Sequence, residues 1–249
     1  MYYYEARYYK PPVFTSRDPM MEKNYTISPY AYCINNPVKF IDPNGLDTFV
    51  FDKKGNCVRT IENTDADIIR VENRKGKEVA TSAPFTYGTV QNVESDDSKP
   101  NKTTLSINNN ANRILIFEFL AENTIVEWMT ISAKKDNLEK NYVATSKIRD
   151  EVSNELVYLL KIENYTATEY AHSHPKSIFG NNYPSGYGYL GDKENYGDAN
   201  NFITLKQLWY DIDVRVYDAN NGHYYILGRT RKDVIDIDKQ GNRKILNPY

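Results

Sequence analysis

The stretch Tyr170-Ala171-His172-Ser173-His174-Pro175 contains two of the three histidines in the 249-residue chain. Residues 166–172 predict a β-strand, and Pro175 ends it because proline cannot donate to a strand ladder. Side chains alternate along a strand, so His172 and His174 are expected on the same face of a sheet. Two imidazoles on a rigid strand, joined by one carboxylate from the next loop, would form a three-ligand site. Such a site leaves a position for water, as in catalytic rather than structural zinc centres.

The loop after this strand decides between a metal site and a simple His-Pro turn with exposed histidines. Residues 176–197 are rich in glycine, asparagine and tyrosine, and a long loop without structure of its own usually carries function. The loop contains Pro184-Ser185-Gly186. Two Gly-Asp pairs follow, so Asp192 and Asp198 are both candidates for the third ligand. These residues favour the metal site over the turn.

His172-Ser173-His174-Pro175, then Ser185, then an aspartate that opens a helix, resemble the JAB/MPN (JAMM) metallopeptidase motif E…H-x-H-P…S-x-x-D. The version with Pro-Ser-Gly and a later Gly-Asp is most similar to the JAB-like toxin domains of polymorphic toxins. The resemblance implies an α+β fold of the JAB/MPN type, cytidine-deaminase-like, with three layers and a mixed sheet flanked by helices. It also implies Zn²⁺ with a water, a glutamate as general base and a serine that supports the oxyanion.

The resemblance implies that His172, His174 and Asp198 are the metal ligands and that Ser185 is the oxyanion residue. Asp198 is preferred because it directly opens the next predicted helix, and helix N-termini orient carboxylates well. Asp192 is the alternative. The spacing favours it, since 192 − 185 = 7 is closer to S-x-x-D than 198 − 185 = 13.

Glu127 is the predicted general base. Residues 124–131 predict a strand on which Glu127 lies among apolar side chains, and an isolated carboxylate there is costly unless it is paired or used. The family that the motif resembles keeps its base on a strand that follows a helix, and residues 111–123 predict that helix. Glu127 precedes His172 by 172 − 127 = 45 residues. Glu118 and Glu122 are alternatives, but they are expected on the solvent face of the helix.

The N-terminal segment carries a second resemblance, to the end of an RHS repeat-associated core. The runs that carry it are Tyr2-Tyr3-Tyr4-Glu5-Ala6-Arg7-Tyr8-Tyr9, Ser16-Arg17-Asp18-Pro19, Ser28-Pro29-Tyr30-Ala31-Tyr32-Cys33-Ile34-Asn35-Asn36-Pro37-Val38 and Ile41-Asp42-Pro43-Asn44-Gly45-Leu46. Such a core forms the end of a large β-cage and precedes a variable toxin domain. The resemblance places the junction at Leu46–Asp47, where these cores are cut from their toxin.

Three segments are predicted from these patterns. Residues 1–46 are the RHS core-associated segment, built of short extended pieces broken by prolines. Residues 47–102 are a lead-in region with two β-hairpins, followed by a polar loop over 91–102. Residues 103–249 are the JAB/MPN-like domain. Within it, residues 156–162 suit a strand or a helix equally.

Composition limits the partners of the chain. Lys and Arg total 31 against 33 Asp and Glu, a net charge of −2, which gives no electrostatic footprint for nucleic acid. No apolar run is long enough to predict a membrane span. The N-terminus lacks the basic and apolar regions of a signal peptide, so export is expected to depend on a larger parent protein. Cys33 and Cys57 lack C-x-x-C partners and are interpreted as buried thiols.

The sequence therefore predicts the C-terminal toxin of an RHS polymorphic toxin system, delivered for interbacterial competition. Its predicted activity is zinc-dependent hydrolysis of amide or isopeptide bonds in target-cell proteins. Expected partners are a protein or peptide substrate, a cognate immunity protein and the parent RHS cage. A metal-dependent nuclease toxin is one alternative, which the near-neutral charge disfavours. A non-catalytic module with a vestigial metal site is another, favoured if no glutamate came near the histidines.

Overall fold

The histidine-bearing strand lies inside a nine-stranded mixed sheet. The computed structural model describes residues 2–4, 7–10, 13–15, 47–61, 66–96, 102–149, 154–176, 183–185, 197–228 and 233–246. In spatial order the strands of this sheet are β17 (Arg243–Ile245), β16 (Ile235–Ile237), β15 (His223–Ile226), β14 (Asp213–Asp218), β13 (Thr166–His174), β11 (Met129–Lys135), β12 (Leu138–Thr145), β10 (Lys102–Ile107) and β9 (Val90–Asp96). Within this sheet, β13 and β14 pair in parallel. The other neighbours within this sheet are antiparallel.

The parallel pair explains where helix α3 (Gly197–Leu208) begins. Parallel neighbours need a crossover connection that leads back along the sheet, and α3 forms the helical part of the connection from β13 to β14. The helix therefore starts near the carboxyl end of β13, where the histidines lie. Leu205 is fully buried and Phe202 nearly so, and both belong to the core on this face of the sheet.

Helices and a second sheet cover the two faces of the nine-stranded sheet. Helix α2 (Glu155–Ile162) and α3 share one hydrophobic core with β13 and β14. On the opposite face, α1 (Asn110–Asn123) shares a second core with the smaller sheet. The smaller sheet contains β5 (Cys57–Ile61), β4 (Asp47–Asp52), β6 (Ala66–Glu72), β7 (Glu78–Thr81) and β8 (Phe85–Thr86). This arrangement of mixed sheets flanked by helices confirms the α+β class, and no described helix is long and apolar enough to cross a membrane.

Helix α1 forms where its sequence predicts it, from a polar cap through an apolar stripe. The Asn109 side chain caps its first turn by accepting a hydrogen bond from the Asn112 N–H over 2.9 Å. Ile116, Phe117 and Leu120 are fully buried against the sheet. The segment 156–162, which suited a strand or a helix, belongs to α2.

A buried arginine joins α1 to the sheet. Arg113 is fully buried, and its guanidinium donates to Asn110 Oδ1 over 2.8 Å and to Thr130 Oγ1 over 2.6 Å. It also bonds Glu169 on β13, which pairs in turn with Arg215 on β14 at 3.2 Å. Burying an arginine is tolerated because its donors are satisfied and its charge is matched. The network therefore anchors α1 to two central strands.

The expected loop over residues 91–102 is wrong for its described part. Val90–Asp96 forms strand β9 at the edge of the large sheet and pairs with β10. Val93 lies opposite Leu105, which is fully buried. The strand is polar because it lies at an edge of the sheet, so a search for apolar runs overlooks it. Pairing with β10 stabilises β9 as a strand, although its own residues do not predict one.

The N-terminal segment is described only in part. Strands β1 (Tyr2–Tyr4), β2 (Arg7–Lys10) and β3 (Val13–Phe14) form a three-stranded antiparallel sheet, which agrees with the expected extended pieces. Residues 16–46, including the predicted junction at Leu46, lie outside the described residues. The three predicted segment boundaries therefore stay predictions.

We expect Arg113→Met to destabilise the fold by about 3–5 kcal/mol, because it leaves the Glu169 charge less compensated and the Thr130 hydroxyl without its donor. Denaturant unfolding followed by circular dichroism measures the loss. The control is Lys134→Met, which removes an exposed ion pair with Glu139 and should cost less than about 1 kcal/mol. Equal losses in the two variants would contradict the role of the buried network.

Candidate metal centre

Strand β13 places both histidines on the face covered by α2 and α3. It is hydrogen-bonded on both sides, with His172 opposite Met129 of β11 and opposite Val216 of β14. His172 is only 3% exposed, and its ring lies 5.4 Å from that of His174, centroid to centroid. The two ladders fix the backbone, so the imidazoles are held side by side as the sequence predicts.

Asp198, in the first turn of α3, contacts both imidazoles. Its Oδ1 lies 2.7 Å from His172 Nε2, and its Oδ2 lies 3.3 Å from His174 Nε2. The remaining nitrogen of the first ring, His172 Nδ1, is buried without a hydrogen-bond partner among the described residues. Asp198 and ring packing against Tyr170 therefore orient the His172 imidazole.

Ser185 holds Asp198 in place by two reciprocal hydrogen bonds. The Ser185 N–H donates to Asp198 Oδ2 over 2.5 Å, and the Asp198 N–H donates to Ser185 Oγ over 3.0 Å. The Ala199 N–H adds a third bond, to the Ser185 carbonyl oxygen. Ser185 thus satisfies N–H groups of the first turn of α3, as a capping residue does, although it lies 13 residues upstream.

The electrostatics of the cluster favour a carboxylate at Asp198. Burial by itself would raise the pKa of Asp198, but the charges and hydrogen bonds of the two imidazoles outweigh it. The pKa is therefore held well below its usual range. The group is an anion at neutral pH, as a metal ligand must be.

The donor atoms fit a transition-metal ion. One atom from each of His172, His174 and Asp198 lies within 4.8 Å of the other two, and this is the metal-type cluster found in the described part of the chain. Two imidazole nitrogens and one carboxylate oxygen are donors that suit Zn²⁺ and leave a coordination position open. These residues can hold a metal ion.

Glu127 lies at the entry to β11, the strand that pairs with the histidine strand. It precedes the first residue of this strand, so the expectation that Glu127 itself is on a strand is wrong. The Ser173 N–H donates to the Trp128 carbonyl oxygen over 2.8 Å, and the Trp128 N–H donates to Ser173 Oγ over 3.0 Å. These bonds continue the contact between the two strands by one residue beyond the pair Met129 and His172, so the segment of Glu127 runs toward the His174 end of β13.

Residues 105–203 match the family model of JAB-like toxin 1. This match covers the histidine cluster, Ser185 and Glu127, and supports a JAB-like toxin domain in this part of the chain. No curated protein and no solved structure matches the chain significantly.

Glu127 is nearly buried, with 8% of its surface exposed. Burial raises the pKa of the neighbouring Tyr170 hydroxyl, and the negative charges of Glu127 and Asp198 raise it further. Both carboxylates therefore lie close to the same tyrosine on the histidine face. Glu127 does not belong to the cluster of candidate ligands among the described residues, which suits a role other than metal binding.

Glu118 and Glu122 lie on the other side of the sheet from the cluster. They are half-buried rather than on the solvent face that the helix pattern predicted. Glu118 accepts a hydrogen bond from the Tyr224 hydroxyl over 2.9 Å, and Glu122 accepts one from the Tyr217 hydroxyl over 2.6 Å. These bonds tie α1 to β14 and β15, so neither glutamate competes with Glu127 for the site.

Of the remaining candidates, Cys57 and His223 are described and do not belong to the cluster. Asp192 and Cys33 lie outside the described residues. Cys57 is a half-buried free thiol whose pKa is raised by burial. His223 pairs with Asp236 at 2.8 Å and does not belong to the cluster of candidate ligands among the described residues.

The sequence analysis did not predict a role for Ser173. This residue lies between the two histidines and hydrogen-bonds the segment that carries Glu127. Its position as the variable residue of His-x-His gave no signal for this role. On a strand it faces the opposite side from the histidines, and only the pairing with β11 shows what it contacts.

We expect His172→Ala and Asp198→Ala to weaken Zn²⁺ binding by about 100-fold or more, since loss of outer-shell partners alone commonly costs up to about that factor. Competition with a chelating indicator measures the affinity. Asp192→Ala is the matched control and should bind like the unchanged chain. Loss of binding in the Asp192 variant alone would make that residue the third ligand.

Proposed function

We propose that the chain is a zinc-dependent peptidase toxin that hydrolyses amide or isopeptide bonds in proteins of a target cell. The observation that carries the proposal is the convergence of two imidazoles and a carboxylate. Glu127, a nearly buried glutamate outside that set, lies in the segment that bonds Ser173 between the two histidines. Three ligands plus a separate carboxylate on one face are the parts that metal-assisted hydrolysis of an amide needs.

His172, His174 and Asp198 would hold the ion. When bound there, Zn²⁺ lowers the pKa of its water to about 7 and polarises the carbonyl of the substrate. The two ladders of β13 and the bonds from Ser185 keep these three side chains in place before any ion arrives. The ligands are thus preorganised on a rigid strand and a helix start.

Glu127 acts as the general base in this proposal. Its carboxylate takes a proton from the attacking water and delivers it to the nitrogen of the leaving amine. Trp128 and Ser173 hold its backbone beside the histidines.

Ser185 has two roles in the proposal. Its Oγ accepts a hydrogen bond from the Asp198 N–H, which fixes a ligand. A serine hydroxyl that accepts one hydrogen bond can still donate its own proton. We propose that this proton stabilises the oxyanion that forms when water adds to the substrate carbonyl.

The match to a toxin family and the N-terminal resemblance support a delivered effector. In this proposal the chain is the C-terminal part of an RHS polymorphic toxin, exported with its parent cage and neutralised in the producing cell by an immunity protein. A nuclease would need a basic surface for its substrate, whereas the net charge is −2. The bonds between Trp128, the neighbour of Glu127, and Ser173, which lies between the two histidines, favour the enzyme over a vestigial module.

We expect Glu127→Gln to lower activity by about 10²-fold or more while zinc content and melting temperature stay nearly unchanged, because glutamine keeps the shape but cannot accept the proton. The assays are cleavage of a panel of peptide and isopeptide substrates and toxicity on expression in susceptible bacteria.

Glu122→Gln is the matched control, since this glutamate lies on the opposite face of the sheet and should leave activity unchanged. His174→Ala should lose both zinc and activity. A fully toxic Glu127→Gln beside an inactive His174→Ala would show a different base. Full toxicity in both would refute the metallopeptidase proposal.

A further inference from the structure

The segment that carries Glu127 is held by a turn outside the matched family region. The turn joins β4 to β5 over residues 52–56, whereas the family match begins at residue 105. The Ile125 N–H donates to the carbonyl oxygen of Lys53 in this turn over 2.9 Å. A hairpin of the smaller sheet therefore reaches the residues that precede Glu127.

Gly55, in the same turn, is in close contact with the surroundings of Glu127. Its φ is +80°, a conformation that favours glycine. A Cβ atom at this position would lie 2.9 Å from Thr145 Cγ2, 3.2 Å from Val126 Cγ2 and 3.3 Å from Trp128 Cζ2. Val126 and Trp128 flank Glu127, so the missing side chain of Gly55 leaves the space that this segment occupies.

Thr145 links the turn directly to Glu127. Its methyl group is the atom that faces Gly55, and its hydroxyl donates to the Glu127 carbonyl oxygen over 2.6 Å. The same hydroxyl accepts a hydrogen bond from the Lys147 N–H over 2.9 Å. The buried side chain therefore cannot rotate its methyl away without breaking its bond to Glu127.

The opposite side of the segment is held by the histidine strand. Trp128 bonds Ser173, which lies between His172 and His174. The ring of Phe51 on β4 packs edge-on against the Trp128 indole, with centroids 6.0 Å apart. The Glu127 segment thus lies between the β4–β5 hairpin and the strand that carries the candidate ligands.

We propose that the β4–β5 hairpin is part of the catalytic centre and that Gly55 is a positioning residue for Glu127. The hairpin sets the distance between the Glu127 segment and β13, and through Thr145 it fixes the Glu127 backbone. An effect of a Gly55 substitution on catalysis rests on the proposed function. The displacement of Trp128 and Glu127 by such a substitution does not.

The chain contains a matched control turn. Gly76 lies in the β6–β7 turn with φ +71°, and the nearest atom to an added Cβ is Glu72 Oε2 at 3.9 Å. In each turn the side chain at the first position, Asp52 in one and Asn73 in the other, accepts hydrogen bonds from two backbone N–H groups. Gly76→Ala therefore reproduces the backbone strain of Gly55→Ala without contact with the Glu127 segment.

The experiment compares Gly55→Ala with Gly76→Ala in the full chain. Both should lose a few degrees of melting temperature, about 2–4 °C for each, because both force alanine into a left-handed conformation. Only Gly55→Ala should lower kcat, by about tenfold to a hundredfold, since misplacement of a catalytic group by about 1 Å has that effect. KM and Zn²⁺ affinity should stay the same.

One readout does not depend on peptidase activity. The indole N–H signal of Trp128 in NMR spectra, assigned with Trp209→Phe, should shift in Gly55→Ala and not in Gly76→Ala. Thr145→Ser removes the methyl group that faces Gly55 and keeps the hydroxyl, so the effect of Gly55→Ala on this signal and on kcat should be smaller in that background.

Identical kcat and Trp128 signals in the two glycine variants would overturn the proposal. If the unchanged chain cleaves no peptide, the proposed function fails, and the Trp128 shift alone decides whether the hairpin positions the segment.

If Gly55→Ala does not fold, Phe51→Leu loosens the contact between the hairpin and Trp128, with Phe49→Leu on the same strand as its control. A lower kcat or a shifted Trp128 signal in Phe51→Leu alone supports the proposal, and equal behaviour of the two overturns it.

Discussion

The alternation of side chains along β13 is the constraint on which the rest of the site depends. Successive residues of a strand point to opposite faces. Because this strand is hydrogen-bonded on both sides, a shift that moved the side chains on one face would also move those on the other. His172 and His174 face α3 and form the candidate metal centre. Glu169 and Ser173 face the other way, where one anchors Arg113 of α1 and the other holds the segment of Glu127. One strand thus positions the ligands and the candidate base together.

The parallel pairing of β13 with β14 brings the third side chain. Because the chain must cross over between parallel strands, α3 begins at the end of β13 where the histidines lie. Asp198 occupies the first turn of this helix and bonds both rings. Ser185 satisfies its N–H and fixes its carboxylate. The site is therefore a consequence of topology as much as of the histidine motif.

The smaller sheet is more than a lead-in to the domain that follows it. Phe51 and Gly55 pack against residues on either side of Glu127, although the family match starts far downstream of them. A charged group held nearly buried needs a backbone that cannot relax toward water, and contacts on two sides supply that restraint. In this chain one side comes from the histidine strand and the other from the β4–β5 hairpin.

Local patterns in the sequence determined much of the fold and part of the site. The period of apolar residues predicted α1, the His-x-His pair predicted a strand with both imidazoles on one face, and a helix start predicted Asp198. Only the tertiary structure revealed the edge strand β9, the buried Arg113 and the position of Glu127 before the start of β11. These depend on partners far along the chain: β9 on pairing with β10, Arg113 on Glu169, and Glu127 on Ser173 and Gly55. Periodicity reports which side of an element is buried, but it carries no information about which distant residue lies against it.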